Sequence, residues 1–274
     1  MIFRHNALYA LKTLLRRRMV SIILPSYNYG WCIAEAIESV IGQSYTDWEL
    51  IVVDDGSMDN SAAVIEKYRN KYPGRIRFYK HPHDGNSGLA ATYRLGLSKA
   101  RGGLVAFIEA DDQWKGDHLS SKIGILAKHK DVVLVYSNVE LFGENKLVEQ
   151  RSPGIYLWID SVRERNVPFY AFEYLSKKNI NPTFSGTMVR RKFIEEHDLK
   201  DQYYAWVDWY LWSVLSLRGK FFFSTDKTVM WRLHFKSYNT IFSKGPDVGN
   251  VKMRILDGNK RQITEYENRS KKTG

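Results

Sequence analysis

The chain has 274 residues, 44% of them hydrophobic, which is enough to bury one large core or two small ones. A formal net charge of +11, from 41 Lys and Arg over 30 Asp and Glu, favours anionic partners such as nucleotides, nucleic acid or an acidic membrane surface without choosing among them. The single cysteine, Cys32, excludes an internal disulfide, no Cys/His pair has metal-site spacing, and a reducing compartment follows.

Residues 1–18 place Phe3, Ala7, Leu8, Leu11, Leu14 and Leu15 on one helical face and gather Lys12, Arg16, Arg17 and Arg18 towards its end. The apolar run is too short to span a bilayer, and its positive charge follows the apolar part, the reverse of a secretory signal. Two readings stay open: an interfacial helix lying on an anionic leaflet, or a plain extension ahead of the strand that begins at Met19.

From Met19 the pattern is regular. Val20 to Leu24 is a β-rich run ended by Pro25 and the turn Ser26-Tyr27-Asn28-Tyr29-Gly30. A helix follows with Ile33, Ala36, Ile37, Val40 and Ile41 on one stripe, then the strand Leu50–Val53 and the turn Asp54-Asp55-Gly56-Ser57. Asp59 or Asn60 caps a second helix bearing Val64, Ile65 and Tyr68; Pro73-Gly74 breaks it, and Ile76 and Phe78 mark a third strand. After the turn His81-Pro82-His83, Ser87 is the expected N-cap of a third helix running through Lys99. Gly102-Gly103 then leads into Leu104–Ile108, a strand apolar on both faces that runs directly into Glu109, Asp111 and Asp112. Three carboxylates in four positions repel one another, so the cluster is comfortable around a hard cation such as Mg²⁺ or Mn²⁺, or as a solvated acidic turn.

The alternation β-α-β-α-β-α-β predicts an α/β fold with a mainly parallel sheet and helices on both faces. Ligands of such sheets collect outside the carboxyl ends of the strands. Each polar motif above follows a strand, so all of them should share one edge. The chain lacks Gly-x-Gly-x-x-Gly after the first strand and lacks a Walker lysine, which argues against dinucleotide and P-loop sites.

In the second half, Val132–Tyr136 reads as another strand, and residues 143–182 show weak periodicity with several aromatics. Leu211, Val214, Leu215 and Arg218 continue an amphipathic helix that opens at Asp208, where the helix dipole favours an ionised carboxylate. Asp208 is therefore an N-cap or a functional group. Of Trp206, Trp209 and Trp212, one is expected at a sugar site and the others in the core. Residues 243–274, rich in Lys, Arg, Asn and Gly, read as a poorly ordered or partner-docking tail.

The runs Val20-Ser-Ile-Ile-Leu-Pro-Ser-Tyr-Asn, Ala36-Ile-Glu-Ser-Val-Ile-Gly-Gln-Ser, Leu50-Ile-Val-Val-Asp-Asp-Gly-Ser and Phe107-Ile-Glu-Ala-Asp-Asp-Gln-Trp together resemble the family 2 glycosyltransferases. The resemblance covers about residues 20–240 and implies a single GT-A domain over 19–242, with a nucleotide-sugar half (19–115) and an acceptor half (116–242). It implies inverting transfer of a hexosyl or N-acetylhexosaminyl group from a nucleoside diphosphate sugar, a UDP-sugar by expectation. The acceptor would be a hydroxyl of a glycan or lipid-linked molecule, the cofactor Mn²⁺ or Mg²⁺, and the place the cytoplasmic side of the membrane. Carried over residue by residue, Pro25, Ser26, Tyr27, Asn28, Asp54, Asp55, Glu109, Ala110 and Asp111 would contact the nucleotide. Asp111 and His234 would hold the metal, and Asp208 would be the general base, with Val207 replacing the usual Glu. Asp112, Trp209 and Arg232 would face the diphosphate or the acceptor. Two departures stand out: Glu109 occupies the usual Asp position, and Tyr93 and Arg94 occupy the positions of an expected Arg and Asn. A sugar-phosphate nucleotidyltransferase would carry a Gly-rich basic loop where Ser26-Tyr27-Asn28 stands. A non-catalytic nucleotide or nucleic-acid binder would rest on the charge alone, and no nucleic acid partner is expected.

Overall fold

The computed structural model describes residues 18–81, 85–200 and 207–237, with Ile263, Thr264 and Asn268 beyond them. The expectations for the amphipathic N-terminal segment, Pro82, His83, Trp206 and most of the C-terminal tail lie outside the described residues. Among the described residues no helix is long and apolar enough to cross a membrane.

The chain alternates β1 (Val20–Ser26), α1 (Ile33–Ile41), β2 (Trp48–Asp54), α2 (Ser61–Lys71), β3 (Ile76–Lys80), α3 (Leu89–Lys99) and β4 (Leu104–Phe107). β1, β2 and β4 are buried along their whole length, as their continuous apolar runs require of strands covered by helices on both faces. β1 pairs in parallel with β2 from Val20 and Trp48 to Ser26 and Asp54, and with β4 from Val20 and Leu104 to Ile23 and Phe107. β2 pairs in parallel with β3. Helix α3 lies so close to β1 that a Cβ on Gly96 would come within 2.4 Å of Ile23 Cγ2.

The second half continues the sheet with β5 (Gln113–Trp114), α4 (His118–Lys128), β6 (Val132–Gly143), α5 (Asn145–Asp160), β7 (Pro168–Phe169), α6 (Phe172–Leu175), β8 (Thr187–Arg190), α7 (Val207–Ser216) and β9 (Lys220–Leu233). The strand order is β3-β2-β1-β4-β8-β6-β9-β5, with β7 on β9. β8 runs antiparallel to both β4 and β6, so a parallel half joins a mixed one.

Three local expectations are corrected and one open choice is decided. Ser87 does not cap α3: the helix begins at Leu89 after Gly88 at φ +89°, and the Ser87 and Gly88 N–H groups instead donate to the Asp55 carboxylate. At the start of α2 the capping carboxylate is Asp59, which accepts the Ser61 N–H at 2.9 Å and the Gly30 N–H at 2.9 Å, while the Asn60 side chain makes no cap bond. α7 is not amphipathic, because Val207 and every residue from Trp209 to Ser216 are buried. The weakly periodic stretch after residue 143 holds the 16-residue helix α5, whose internal Pro153 obscured it.

Candidate active site

From β1 the chain crosses outward to β2 and β3, then α3 returns it to β4 on the other side of β1. That reversal opens a crevice outside the carboxyl ends of β1 and β4. A cavity of about 1010 Å³ occupies it.

The turn after β1 supplies Pro25, Ser26, Tyr27 and Asn28 to the cavity wall. Asn28 sits at φ +60°, a left-handed conformation that Asn tolerates because its short amide can bond locally. Here its Oδ1 accepts the Met58 N–H at 2.8 Å, and its own N–H donates to Ser57 Oγ at 2.9 Å. The Ser57 hydroxyl donates in turn to Asp54. Asp54 is thus buried and spent on bracing two turns together, and it does not line the cavity as the sequence suggested. Asp55 does line it, accepting the Ser87 N–H at 2.7 Å and the Gly88 N–H at 2.9 Å. Between them, Gly56 at φ +81° passes so close to Gly85 that a Cβ would lie 2.9 Å from its backbone. The Ser26 hydroxyl is buried at this edge without a protein partner among the described residues, which suits a ligand contact.

The β4 exit contributes Glu109, Ala110 and Asp111. Carboxylate oxygens of Glu109, Asp111 and Asp112 all lie within 4.8 Å of one another. Burial, followed by the neighbouring charges of Asp111 and Asp112, holds the Glu109 carboxyl well above the usual range. Burial and then Asp111 push Asp112 up to about 8. Asp112 faces inward: it accepts Ser185 Oγ at 2.6 Å, Thr183 Oγ1 at 3.3 Å and the Arg232 N–H at 2.9 Å. With its oxygens taken by protein donors and its side chain buried, Asp112 is a brace and not a diphosphate or acceptor contact. Asp111 is 12% exposed, and His234 Nε2 lies 2.9 Å from its Oδ2. The hard oxygen set of Glu109 and Asp111, crowded with like charge, fits Mg²⁺ or Mn²⁺. Burial and the same carboxylates also raise the Tyr29 phenol, which keeps it neutral beside Asp111. Cys32, whose thiol reaches Ala110 O at 3.5 Å, is pushed up to about 12 by burial and offers no thiolate.

Arg232 differs from expectation as well. Its Nε donates to Asp111 O at 2.8 Å and its Nη2 to Glu35 at 2.5 Å, while the guanidinium stacks over Phe142 at 4.3 Å. These bonds hold the acidic turn from behind, so the side chain does not line the cavity.

Across the cavity, Asp208 stands in the first turn of α7 beside Val207. Burial pushes its carboxyl up to about 6, opposed by bonds from the Trp209 N–H at 2.6 Å and Asn179 Nδ2 at 2.8 Å. Trp209 itself is buried with its indole N–H on Leu175 O at 2.7 Å, and Trp212 is fully buried; neither is a sugar platform, because core packing takes both. Tyr93 packs on Phe184 at 4.3 Å between ring centroids, and Arg94 donates to Leu199 O at 2.7 Å, so both departures from the expected motif are structural.

Sequence reasoning missed Thr183, Asn179, Trp31 and the α5 face carrying Arg151 and Trp158, all of which line the cavity. The polar cluster Asn179-Ile-Asn-Pro-Thr-Phe-Ser185, just ahead of β8, was the available signal.

The profile of Glycosyl transferase family 2 matches residues 21–198. An Escherichia coli protein, UDP-Glc:alpha-D-GlcNAc-diphosphoundecaprenol beta-1,3-glucosyltransferase WfgD, is 33% identical over 130 residues, 47% of this chain and 49% of that protein. Staphylococcus aureus TarS 1-349, solved with UDP-GlcNAc, superposes with a TM-score of 0.60 at 16% identity, covering 89% of this chain and 66% of that one. The mannosyltransferase PcManGT of Pyrobaculum calidifontis, solved with GDP-Man and Mn²⁺, gives 0.56 at 17% identity, covering 81% and 59%. The chain spans about half the length of the curated relatives it matches. With the family profile over most of the described domain and a GT-A arrangement of strands around the crevice, the chain belongs to glycosyl transferase family 2.

Proposed function

We propose that this protein is an inverting glycosyltransferase that moves a sugar from a UDP-sugar to a hydroxyl of a glycan or lipid-linked acceptor in a single displacement. One observation carries the reading: the β1, β2 and β4 turns and Asp208 of the far half open into one cavity, with a crowded acidic pair at its floor. Pro25, Ser26, Tyr27, Asn28 and Asp55 bind the nucleoside. Asp111 and Glu109 would hold Mn²⁺ or Mg²⁺, with His234 fixing Asp111 from the buried side; the ion, when bound, neutralises charge on the departing diphosphate. Asp208 takes the proton of the attacking hydroxyl. Its carboxyl, at about 6, is ionised at neutral pH and more basic than an ordinary aspartate, as a general base should be. A UDP-sugar and a lipid-linked acceptor are favoured by the E. coli relative, whose name carries both, and a UDP-sugar by the UDP-GlcNAc seen in TarS. Such an acceptor places the reaction at the inner face of the membrane.

A thermal-shift panel of UDP, GDP and dTDP, each with and without Mn²⁺, tests the donor. UDP with Mn²⁺ should stabilise most. Absence of any nucleotide response, together with salt-sensitive retention on heparin, would replace the enzyme with a polyanion binder.

A further inference from the structure

Asp208 does not owe its orientation to α7 alone. One oxygen, Oδ1, accepts the Trp209 N–H at 2.6 Å, and the other, Oδ2, accepts Asn179 Nδ2 at 2.8 Å. Asn179 is itself fixed from two further sides. Its Oδ1 accepts the Asn181 N–H at 3.2 Å, which determines that the NH₂ end of the amide points at Asp208. Its backbone carbonyl accepts the indole N–H of Trp158, on α5, at 2.7 Å. Trp158, Asn179 and Asp208 all line the same cavity.

We propose that Asn179 is a positioning residue for the proton acceptor, holding Asp208 Oδ2 in one rotamer and tying it through Trp158 to the α5 wall of the cavity. The proposal rests on Asp208 being the base. A carboxylate torsion is broad and roughly two-fold, so a carboxylate held on one oxygen only by its neighbour's N–H sweeps through orientations that miss the acceptor hydroxyl. A second donor on the other oxygen removes that freedom. A donor to the carboxylate also favours its ionised form over the protonated acid. The link to Trp158 means that an acceptor packing against α5 meets a base whose direction is already set by the same wall.

The test compares Asn179→Asp and Asn179→Ala with the parent, reading UDP release from UDP-glucose and UDP-N-acetylglucosamine in Mn²⁺, with water as the acceptor, across pH 5 to 9. Asn179→Asp is isosteric and keeps the oxygen that Asn181 uses but sets a second carboxyl against Asp208, so Asn179→Ala, which removes the donor and adds no charge, carries the reading of the pH limb. Loss of a charge-assisted bond predicts that kcat falls about 10- to 100-fold in both variants, while KM for the donor stays within about two-fold. The acid limb of the kcat profile should move to higher pH. Parent-like kcat with an unmoved limb overturns the proposal, and so does a fall in kcat matched by an equal loss of donor affinity with the limb in place. Asp208→Asn, run alongside, separates the two readings. If it is inert while the Asn179 variants are parent-like, the base stands and the positioning role falls. If it turns over at the parent rate, the base assignment falls and this proposal with it.

Discussion

Lys122 on α4 is buried completely, away from the cavity, and no carboxylate touches its ammonium. Its Nζ lies 3.1 Å from Ser137 Oγ, 3.2 Å from Thr228 Oγ1 and 3.4 Å from His118 Nδ1, while Asp117 and Asp226 act only from a distance. Burial lowers it from the ordinary 10.5 to about 7. At about 1.4 kcal/mol for each pH unit, the folded state gives up ~5 kcal/mol at pH 7 relative to a lysine left in water. The sign is that of a base depressed on folding. Between about 7 and 10.5 the unfolded chain holds the extra proton, so this penalty fades as pH rises and is complete below about 7. Lys122→Met keeps the length and volume and removes the charge. Ser137 and Thr228 stay bonded to each other at 3.1 Å, and Thr228 to His118 at 3.1 Å, so no polar group is orphaned. After deducting ~1 kcal/mol for each of the two or three lost bonds, the variant should gain ~2–3 kcal/mol at pH 7, which for a domain of this size raises Tm by roughly 5–10 °C. Paired guanidinium melts of parent and variant at pH 7 and pH 9 check this. The advantage should shrink by ~2–3 kcal/mol at the higher pH. A destabilised variant at pH 7, or a gain that does not change with pH, refutes the reasoning.

If Asp208 is the base, with burial pushing its carboxyl up to about 6, kcat should fall about tenfold per pH unit below that value, and Asp208→Asn should lose at least ~10²-fold with nucleotide binding intact. Asp111→Asn should cost about tenfold or more in UDP affinity with Mn²⁺ present and little without it, read by calorimetry; equal loss in both conditions would remove the metal role. Asp198, buried, is gripped by Arg218 through Nη1 at 2.5 Å and Nη2 at 2.7 Å. Arg218→Ala removes both guanidinium bonds and leaves that carboxylate the Glu195 N–H at 2.9 Å and His197 at 3.7 Å, and it should destabilise by ~3 kcal/mol in urea titration; a loss below ~1 kcal/mol would show the pair to be idle.

The parallel half was legible because each of its signals is local: apolar runs give strands, stripes give helices, and their alternation gives the sheet edge on which Ser26, Asp55 and Asp111 meet. What a local reading cannot supply is the direction of a side chain that has a distant partner. Asp54 and Asp55 are adjacent and chemically identical, yet Ser57 draws the first inward while the Ser87 and Gly88 amides hold the second at the cavity. Asp111 and Asp112 divide in the same way, through His234 for one and Ser185, Thr183 and the Arg232 backbone for the other. For a related reason spacing alone could not sort the tryptophans, of which one was expected at a sugar site and the others in the core: α7 is buried at Val207 and from Trp209 to Ser216, so Trp209 and Trp212 both go to the core.

Those distant partners show that the site is not a property of the nucleotide half alone. The Glu109 N–H donates to Ser185 Oγ at 2.9 Å, Asp112 depends on Thr183, Ser185 and the backbone of β9, and Asp111 on His234 just beyond it. Each partner reaches back across 70 or more residues to satisfy a carboxylate or amide that β4 delivers to the edge. Without them three crowded carboxyls would face one another with no fixed geometry, and a divalent ion would have to organise them at the expense of its own binding energy. The family match ends at residue 198, short of Asp208, Arg232 and His234. The stretch beyond it therefore does two jobs at once: it brings Asp208 to the far wall of the cavity, and through the Arg232 N–H and His234 it holds Asp112 and Asp111 of the acidic floor in place.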